Sequence, residues 1–454
     1  MPQTLALSSR QLGIQLDRPQ HAFFRPGDTI VGRVYRTASG VAPEARVIVT
    51  LHGRTKVKLK IRRGQSEHVY RSSFNCLSAP VDNKLLLAGA PLHIPEGSEG
   101  ASWPFTITIP PVVTDARQPG DRKYYVSPGG GDGAYFPPPG SFDYSHSEMM
   151  LKGARCTAFI EYYVQARIEL VHQHKGRTKQ DIQIATAPFP LWNVHPGPPV
   201  TDFALRPHQM RHTIVAYRLA PDMEELSIGQ KTRQLFSSSK VPKLTFYLTL
   251  HLPHVIQIEN TNLIPLTLVF EPILGYTSES IFNIPQQITI TSCTMRIKPR
   301  TSVQAGRHDF NNSGSEVLLL QSIAVAVLGR EIGVTVTPGS KAGPEAQSAY
   351  LNLGEALDLR FRKGGLHPTF AAYNIARVHE LIWEVEGSVV GERFKSKGSH
   401  PIVVLPAPSE MPGVGAGVVQ SQPQGHSEAL PGYSKRVEAP PDYKPDQKDE
   451  KVSK

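Results

Sequence analysis

Two groups of residues in this chain have types and spacings suited to recognition chemistry. The first is Arg54-Thr55-Lys56-Val57-Lys58-Leu59-Lys60-Ile61-Arg62-Arg63. An extended strand points successive side chains to opposite faces. Arg54, Lys56, Lys58, Lys60 and Arg62 therefore line one face, and Val57, Leu59 and Ile61 the other. A row of cations suits acidic or phosphorylated peptide segments, or phosphoinositide head groups. It also serves as a solvated face that discourages edge-to-edge pairing, and the residues alone leave both readings open. The second group is Pro440-Pro441-Asp442-Tyr443. Consecutive prolines favour the polyproline II conformation, which costs little further entropy when bound. Two proline rings and a tyrosine fill neighbouring aromatic grooves of the kind a WW domain presents. Upstream, Leu430-Pro431-Gly432-Tyr433 is a degenerate copy with leucine in place of one proline. Tyr433 and Tyr443 lie at most about 33–36 Å apart in an extended chain, within reach of tandem WW domains. A pattern this short also arises by accident, in very roughly one chain of this composition in ten. Its position in a Pro-rich tail rather than a strand favours the functional reading.

Other constellations are poorer. His172-x-His174 puts two imidazoles on one strand face, but the sequence offers no third ligand and a turn at Lys175-Gly176-Arg177 follows directly. The Gly129-to-Gly133 run lacks the Gly-Lys-Ser/Thr ending of a phosphate-binding loop and reads as a flexible loop. There is no GxSxG elbow, no HExxH and no acid/base pair at an informative spacing. The three cysteines, Cys76, Cys156 and Cys293, are far apart and odd in number, so neither a disulfide framework nor a zinc site is implied. The expectation is a non-catalytic protein without cofactor or metal. Lys435, Lys444, Lys448, Lys451 and Lys454 stand near the Pro-Pro-x-Tyr peptide as candidate ubiquitin acceptors, although lysines also keep such tails in solution.

The elements that must position these residues are strands. Period-two alternation dominates: every even position from Ile160 to Leu170 is apolar or aromatic, and Leu244, Phe246, Leu248, Leu250 and Leu252 repeat the pattern. Trp103, Phe105, Ile107 and Ile109 do the same, as do Leu381, Trp383 and Val385. Such half-buried strands indicate antiparallel sheets. The best helix candidate is the short stretch Met223 to Phe236. With 40 prolines, 37 glycines and 19% charged residues, the predicted class is all-β.

Three interruptions divide the chain. Residues 113–147 are Pro/Gly-rich and read as a long surface insertion. Val194-His195-Pro196-Gly197-Pro198-Pro199 reads as a linker between two sandwich-sized blocks, placed at 10–193 and 205–405. Residues 406–454 hold only two aromatics, Tyr433 and Tyr443, and are expected to form a disordered tail. That tail has six Lys/Arg against seven Asp/Glu, about −1, so of the chain's net +10 the body carries about +11. A basic body favours acidic partners. No secretory leader and no apolar stretch of roughly 18–20 residues is present, which predicts a cytoplasmic protein. No RNP-like aromatic pattern or zinc finger supports a nucleic-acid partner.

Four segments resemble the arrestin family, specifically fungal arrestin-like adaptors. They are Arg25-Pro26-Gly27-Asp28-Thr29-Ile30-Val31-Gly32-Arg33-Val34, Ser102-Trp103-Pro104-Phe105-Thr106-Ile107-Thr108-Ile109-Pro110, the strand Ile160 to Leu170, and Phe370-Ala371-Ala372-Tyr373-Asn374-Ile375 continuing to Leu381. They occur in order between about residues 12 and 400 and are followed by the Pro-Pro-x-Tyr tail. The resemblance implies two immunoglobulin-like sandwiches end to end. It also implies an adaptor linking the cytosolic tails of membrane transporters or receptors to a WW-containing HECT-type ubiquitin ligase, so that cargo is ubiquitylated and endocytosed. The protein would then be cytoplasmic and peripherally recruited to plasma membrane or endosomes, with an anionic membrane surface as a further partner. The alternative within this fold is a sorting or signalling scaffold independent of ubiquitin; a β-sandwich hydrolase is the competing enzymatic reading. The sequence departs from the family pattern at 205–240, which are poorly patterned, and in lacking a clear clathrin-binding box.

Overall fold

The alternating runs form strands, and their apolar positions are the buried ones. Ile160, Tyr162, Val164, Ala166, Ile168 and Leu170 are all at most 4% exposed, and Leu244, Phe246, Leu248, Leu250 and Leu252 are all fully buried. Each Val, Ile, Leu or Phe side chain among them contributes about 1.5–3 kcal/mol relative to leaving it in water. The computed structural model describes residues 4–17, 23–63, 65–77, 84–114, 135–148, 154–174, 177–220, 227–235, 241–306, 308–313, 318–324, 332–339, 346–360 and 366–409. Pro440, Pro441 and Tyr443, with Leu430, Pro431 and Tyr433, lie outside these residues.

The first half contains β1 (Gly13–Leu16), β2 (Thr29–Arg36), β3 (Gly40–Arg63), β4 (Ser66–Asn75), β5 (Lys84–Ile94), β6 (Ala101–Thr108), β7 (Val113–Thr114), β8 (Tyr135–Phe136), β9 (Phe142–Glu148), β10 (Ala154–His174) and β11 (Arg177–Phe189). A three-stranded sheet, β1-β2-β6, faces a six-stranded sheet of order β11-β10-β3-β4, in which β5 also pairs with β3 and β9 with β10. The second half contains β12 (Arg206–Val215), α1 (Ile228–Leu235), β13 (Lys243–Leu252), β14 (Val255–Gln257), β15 (Thr267–Pro272), β16 (Gln286–Ala305), β17 (His308–Ser313), β18 (Leu318–Ala324), β19 (Ile332–Val336), β20 (Ala349–Asn352), α2 (Leu353–Ala356), β21 (Phe370–Ala371), β22 (Ile375–Val389) and β23 (Glu392–Leu405). Here a four-stranded sheet, β12-β13-β15-β20, faces an eight-stranded one built around β23, β22 and β16. Among the named strands, the pairings are antiparallel except for the three residues of β14 beside β23. The fold is an all-β sandwich.

Local chemistry explains the punctuation. Gly27 adopts φ +90° in the turn before β2, where Arg25 N donates to Asp28 Oδ2 at 2.9 Å and Asp28 N to Arg25 O at 3.0 Å. Gly32 allows close approach of β1: a Cβ there would sit 2.5 Å from Gln15 O. The helix forms inside the expected stretch, and Ser227 and Gln230 cap it reciprocally, Gln230 N donating to Ser227 Oγ and Ser227 N to Gln230 Oε1.

Two apolar cores result, one drawn mainly from residues 12–191 and one from 203–404. They adjoin within a compact unit of residues 1–412, since Val303, Ala305, Ala372 and Ile375 pack into the first core. Two boundaries differ from the sequence reading. The last residues of the expected insertion are built into the sheet as β9, because Phe142 is buried against Phe370, with ring centroids 5.0 Å apart. The expected tail starts late: Ala407 and Ser409 bond the backbone of His195, and Gly197 N donates to Ser409 Oγ at 2.9 Å. Residues 406–409 are thereby zipped to the expected linker.

Candidate functional site

The cation row lies on β3 as the alternation predicts, with Val57 and Leu59 buried on the opposite face. Its register brings in neighbours that one strand cannot reveal. On the β10 side Arg54, Lys56, Lys58 and Lys60 stand opposite Glu161, Phe159, Thr157 and Arg155. On the β4 side Lys58 stands opposite Arg71 and Arg62 opposite Glu67.

These neighbours split the row in two. At one end Glu161 takes Arg54 Nε at 2.6 Å and Lys56 Nζ at 3.2 Å. Thr4 closes the cluster: its N–H donates to Glu161 Oε2 at 2.6 Å and its hydroxyl to Glu161 Oε1 at 2.9 Å, while Arg54 Nη2 donates to Thr4 Oγ1 at 2.7 Å. Burial alone would raise the Glu161 carboxyl. The Thr4 N–H, the Arg54 guanidinium, the Thr4 hydroxyl and Lys56 together hold it below its ordinary value. Arg54 also lies over the Tyr163 ring at 4.9 Å, and Lys56 over Phe159 at 5.4 Å. Lys56 is only 8% exposed, so this end is a satisfied structural cluster.

The other end is open. Lys60 pairs with Glu67 at 2.6 Å, and that bond holds the Glu67 carboxyl below its ordinary value. Lys58, Arg71 and Arg155 have no ion pair among the described residues, and Arg71 and Arg155 are exposed. Like charges stand directly opposite at Lys58–Arg71 and at Lys60–Arg155, an arrangement that costs stability in a sheet. An acidic partner would relieve that repulsion. Same-face side chains recur every ~6.6–6.8 Å along a strand, so the geometry matches an extended segment with an acidic group at every second residue. Arg71 and Arg155 are the members that sequence reasoning missed. Neither belongs to a row of cations within its own strand, and only the pairing register joins them to Lys58 and Lys60.

The three thiols are suppressed as nucleophiles. Burial pushes the Cys76, Cys156 and Cys293 thiols up to about 12, so they stay protonated near neutrality. No helix among the described residues is long and apolar enough to cross a membrane. No protein-family model matches this sequence, and no curated protein matches it.

Proposed function

We propose that this chain is a non-catalytic adaptor that brings a WW-domain HECT-type ubiquitin ligase to plasma-membrane transporters or receptors, promoting their ubiquitylation and endocytosis. The observation that carries the reading is Pro440-Pro441-Asp442-Tyr443, with its degenerate copy ending in Tyr433, inside a Pro-rich tail. The four arrestin-like segments support it, and so does a β-sandwich body whose cation face suits acidic cytosolic tails or an anionic membrane surface. In this reading Pro440, Pro441 and Tyr443, helped by Leu430, Pro431 and Tyr433, grip the ligase. Lys58, Lys60, Arg62, Arg71 and Arg155 meet the cargo, while Arg54 and Lys56 hold the platform together. The protein works from the cytoplasm and is recruited peripherally to plasma membrane or endosomes.

The test is capture of the full chain by an isolated WW array, comparing wild type with Tyr443→Ala. Loss of capture together with slower cargo turnover is the expected result. Equal capture of the two proteins would refute the reading, and lost capture with unchanged cargo turnover would reduce the chain to a scaffold independent of ubiquitin.

A further inference from the structure

We propose that β11 is a self-association edge, pairing antiparallel with β11 of a second copy of this chain across a two-fold axis. The strand ends the six-stranded sheet. β10 lines one side of it, and among the described residues its other side has a backbone partner only at Thr186, opposite Leu7. Thr186 N donates to Leu7 O at 3.0 Å, and Leu7 N donates to Thr186 O at 2.9 Å. Thr186 thus turns both backbone groups away from β10. The β10 register is unbroken along β11, and alternate residues of an antiparallel strand turn the same way. Gln180, Ile182 and Ile184 therefore present N–H and C=O to the open side. Beyond Leu7 the chain leaves this lane, because Ser9 N donates to Leu12 O and Arg10 O accepts from Thr37 N and Ala38 N. An open row of this kind is a template for another strand.

The charges choose the occupant and the register. Lys179 and Asp181 are exposed, share a face, and form no ion pair among the described residues. Asp181 accepts from Gln183 Nε2 at 3.1 Å and attracts Arg36, whose Nη1 bonds Gln183 Oε1 at 2.9 Å. A lone charge on an edge deters pairing. Two of opposite sign, two residues apart, complement themselves in an antiparallel copy. Centring the axis on Gln180 sets Lys179 opposite Asp181 of the partner copy, and Asp181 opposite its Lys179. It also makes Gln180 a hydrogen-bonded pair with itself, in phase with the backbone groups already turned outward.

Other registers fail. Centres at Lys179 or Asp181 oppose like charges. A centre at Ile182 would set Thr178 of the partner copy opposite Thr186, where Leu7 already sits. With the centre at Gln180, Arg177 of the partner copy opposes Gln183, and the lane is left short of Leu7. On the other face Ile182, 45% exposed, comes to lie against the partner strand and gives up apolar surface to it. A pairing this short buries less than the roughly 1,200 Å² of a stable complex, so the dimer is weak and reversible, with Kd between about 1 μM and 1 mM.

The experiment is sedimentation equilibrium of the full chain at concentrations up to about 1 mM. Wild type should form dimers. Lys179→Glu and Asp181→Lys should each weaken them about tenfold, and the double variant should regain wild-type affinity to within about threefold. Cysteine cross-linking reads the register independently of charge. Cys76, Cys156 and Cys293 are buried with their thiols protonated, so an introduced thiol is the reactive one. With diamide as oxidant, Gln180→Cys should give a covalent dimer, its two Cα atoms about 5.5 Å apart. Ile184→Cys should not, since that residue stands about 27 Å from its own copy. A wild type monomeric at every concentration, or Gln180→Cys linking no better than Ile184→Cys, overturns the proposal. So do single variants that stay folded by circular dichroism yet dimerise like wild type, or a folded double variant that remains weakened.

Discussion

Asn374 Nδ2 donates a hydrogen bond to Ser72 Oγ at 2.7 Å, joining residues 302 positions apart. Ser72 Oγ donates onward to Gln304 O at 2.8 Å, and Gln304 N donates to Asn374 O at 2.9 Å. This closed triangle ties β4 to β16 and to the turn between β21 and β22. Aromatic contacts flank it, Phe74 against Tyr373 at 5.5 Å and Phe142 against Phe370 at 5.0 Å. The junction of the two cores is therefore a packed polar-aromatic seam, and the segment Phe370 to Leu381 runs through it.

Removing the centre of that triangle should cost stability. Asn374 is fully buried, so Asn374→Ala forfeits a buried hydrogen bond and should destabilise by about 1–3 kcal/mol in urea denaturation. Ser72→Ala should cost about 0.5–1.5 kcal/mol, and the double variant less than the sum, because both lose the same bond. Additive effects would mean that the two side chains are not coupled.

The cation row should divide by function when reversed one residue at a time. Lys56→Glu sets a second carboxylate beside Glu161, whose side chain is only 10% exposed, and should destabilise the fold by about 2 kcal/mol or more. Lys58→Glu or Arg71→Glu should change stability by less than about 0.5 kcal/mol, since each relieves a like-charge pair. Those two, with Arg155→Glu, should weaken co-sedimentation with anionic liposomes and binding of acidic cytosolic peptides. Unimpaired binding by all three variants would leave this face as a solvated surface only.

How far the sequence carries is best seen by comparing β10 with β12. The inward positions of β10, from Ile160 to Leu170, are all apolar or aromatic, and period two exposes them at once. The inward positions of β12 include His208 and His212, which hydropathy counts as polar. In the fold His208 packs 4.8 Å from the His400 ring and 6.1 Å from Trp383, while His212 lies 5.3 Å from Phe394 and bonds Ser396 Oγ at 2.6 Å. A half-buried imidazole packed among aromatic rings substitutes for an aliphatic residue, and no periodicity search records it. The recognition face has the same limit. The β3 cations are legible within one strand, whereas Arg71, Arg155, Glu161 and Thr4 join them only through pairing across the sheet.

The two tail peptides should differ in weight. Pro440-Pro441-Asp442-Tyr443 has both proline rings, while Leu430-Pro431-Gly432-Tyr433 lacks one. Tyr443→Ala should therefore abolish capture by a single WW domain, and Tyr433→Ala should leave it unchanged. With a tandem WW array, Tyr433→Ala should cost about tenfold through lost effective concentration. Surface-bound WW arrays read both constants, and a tandem array indifferent to Tyr433 would assign all docking to Tyr443.

Histidines whose pKa is lowered by burial predict the response to acid. Burial, reinforced by Arg377 and His367, lowers the His379 pKa to about 3, and its Nδ1 lies 2.9 Å from Thr369 Oγ1. Burial likewise lowers His212, and it lowers His400, where His208 and His254 add to the effect and a bond to Pro253 O opposes it. A folded-state pKa below the unfolded value of about 6.5 means that the unfolded chain binds the proton more readily. Stability is then fully present above about pH 6.5 and falls as the solution is acidified, by at most about 1.4 kcal/mol per pH unit from His379. Depressed carboxylates such as Glu161 add to the loss only at lower pH, so the interval from about pH 6.5 to pH 5 isolates the histidines. Urea midpoints should decline across that interval, and His379→Gln, which keeps a polar partner for Thr369, should shallow the decline. A flat profile would show that these imidazoles are hydrated or paired with acid in solution.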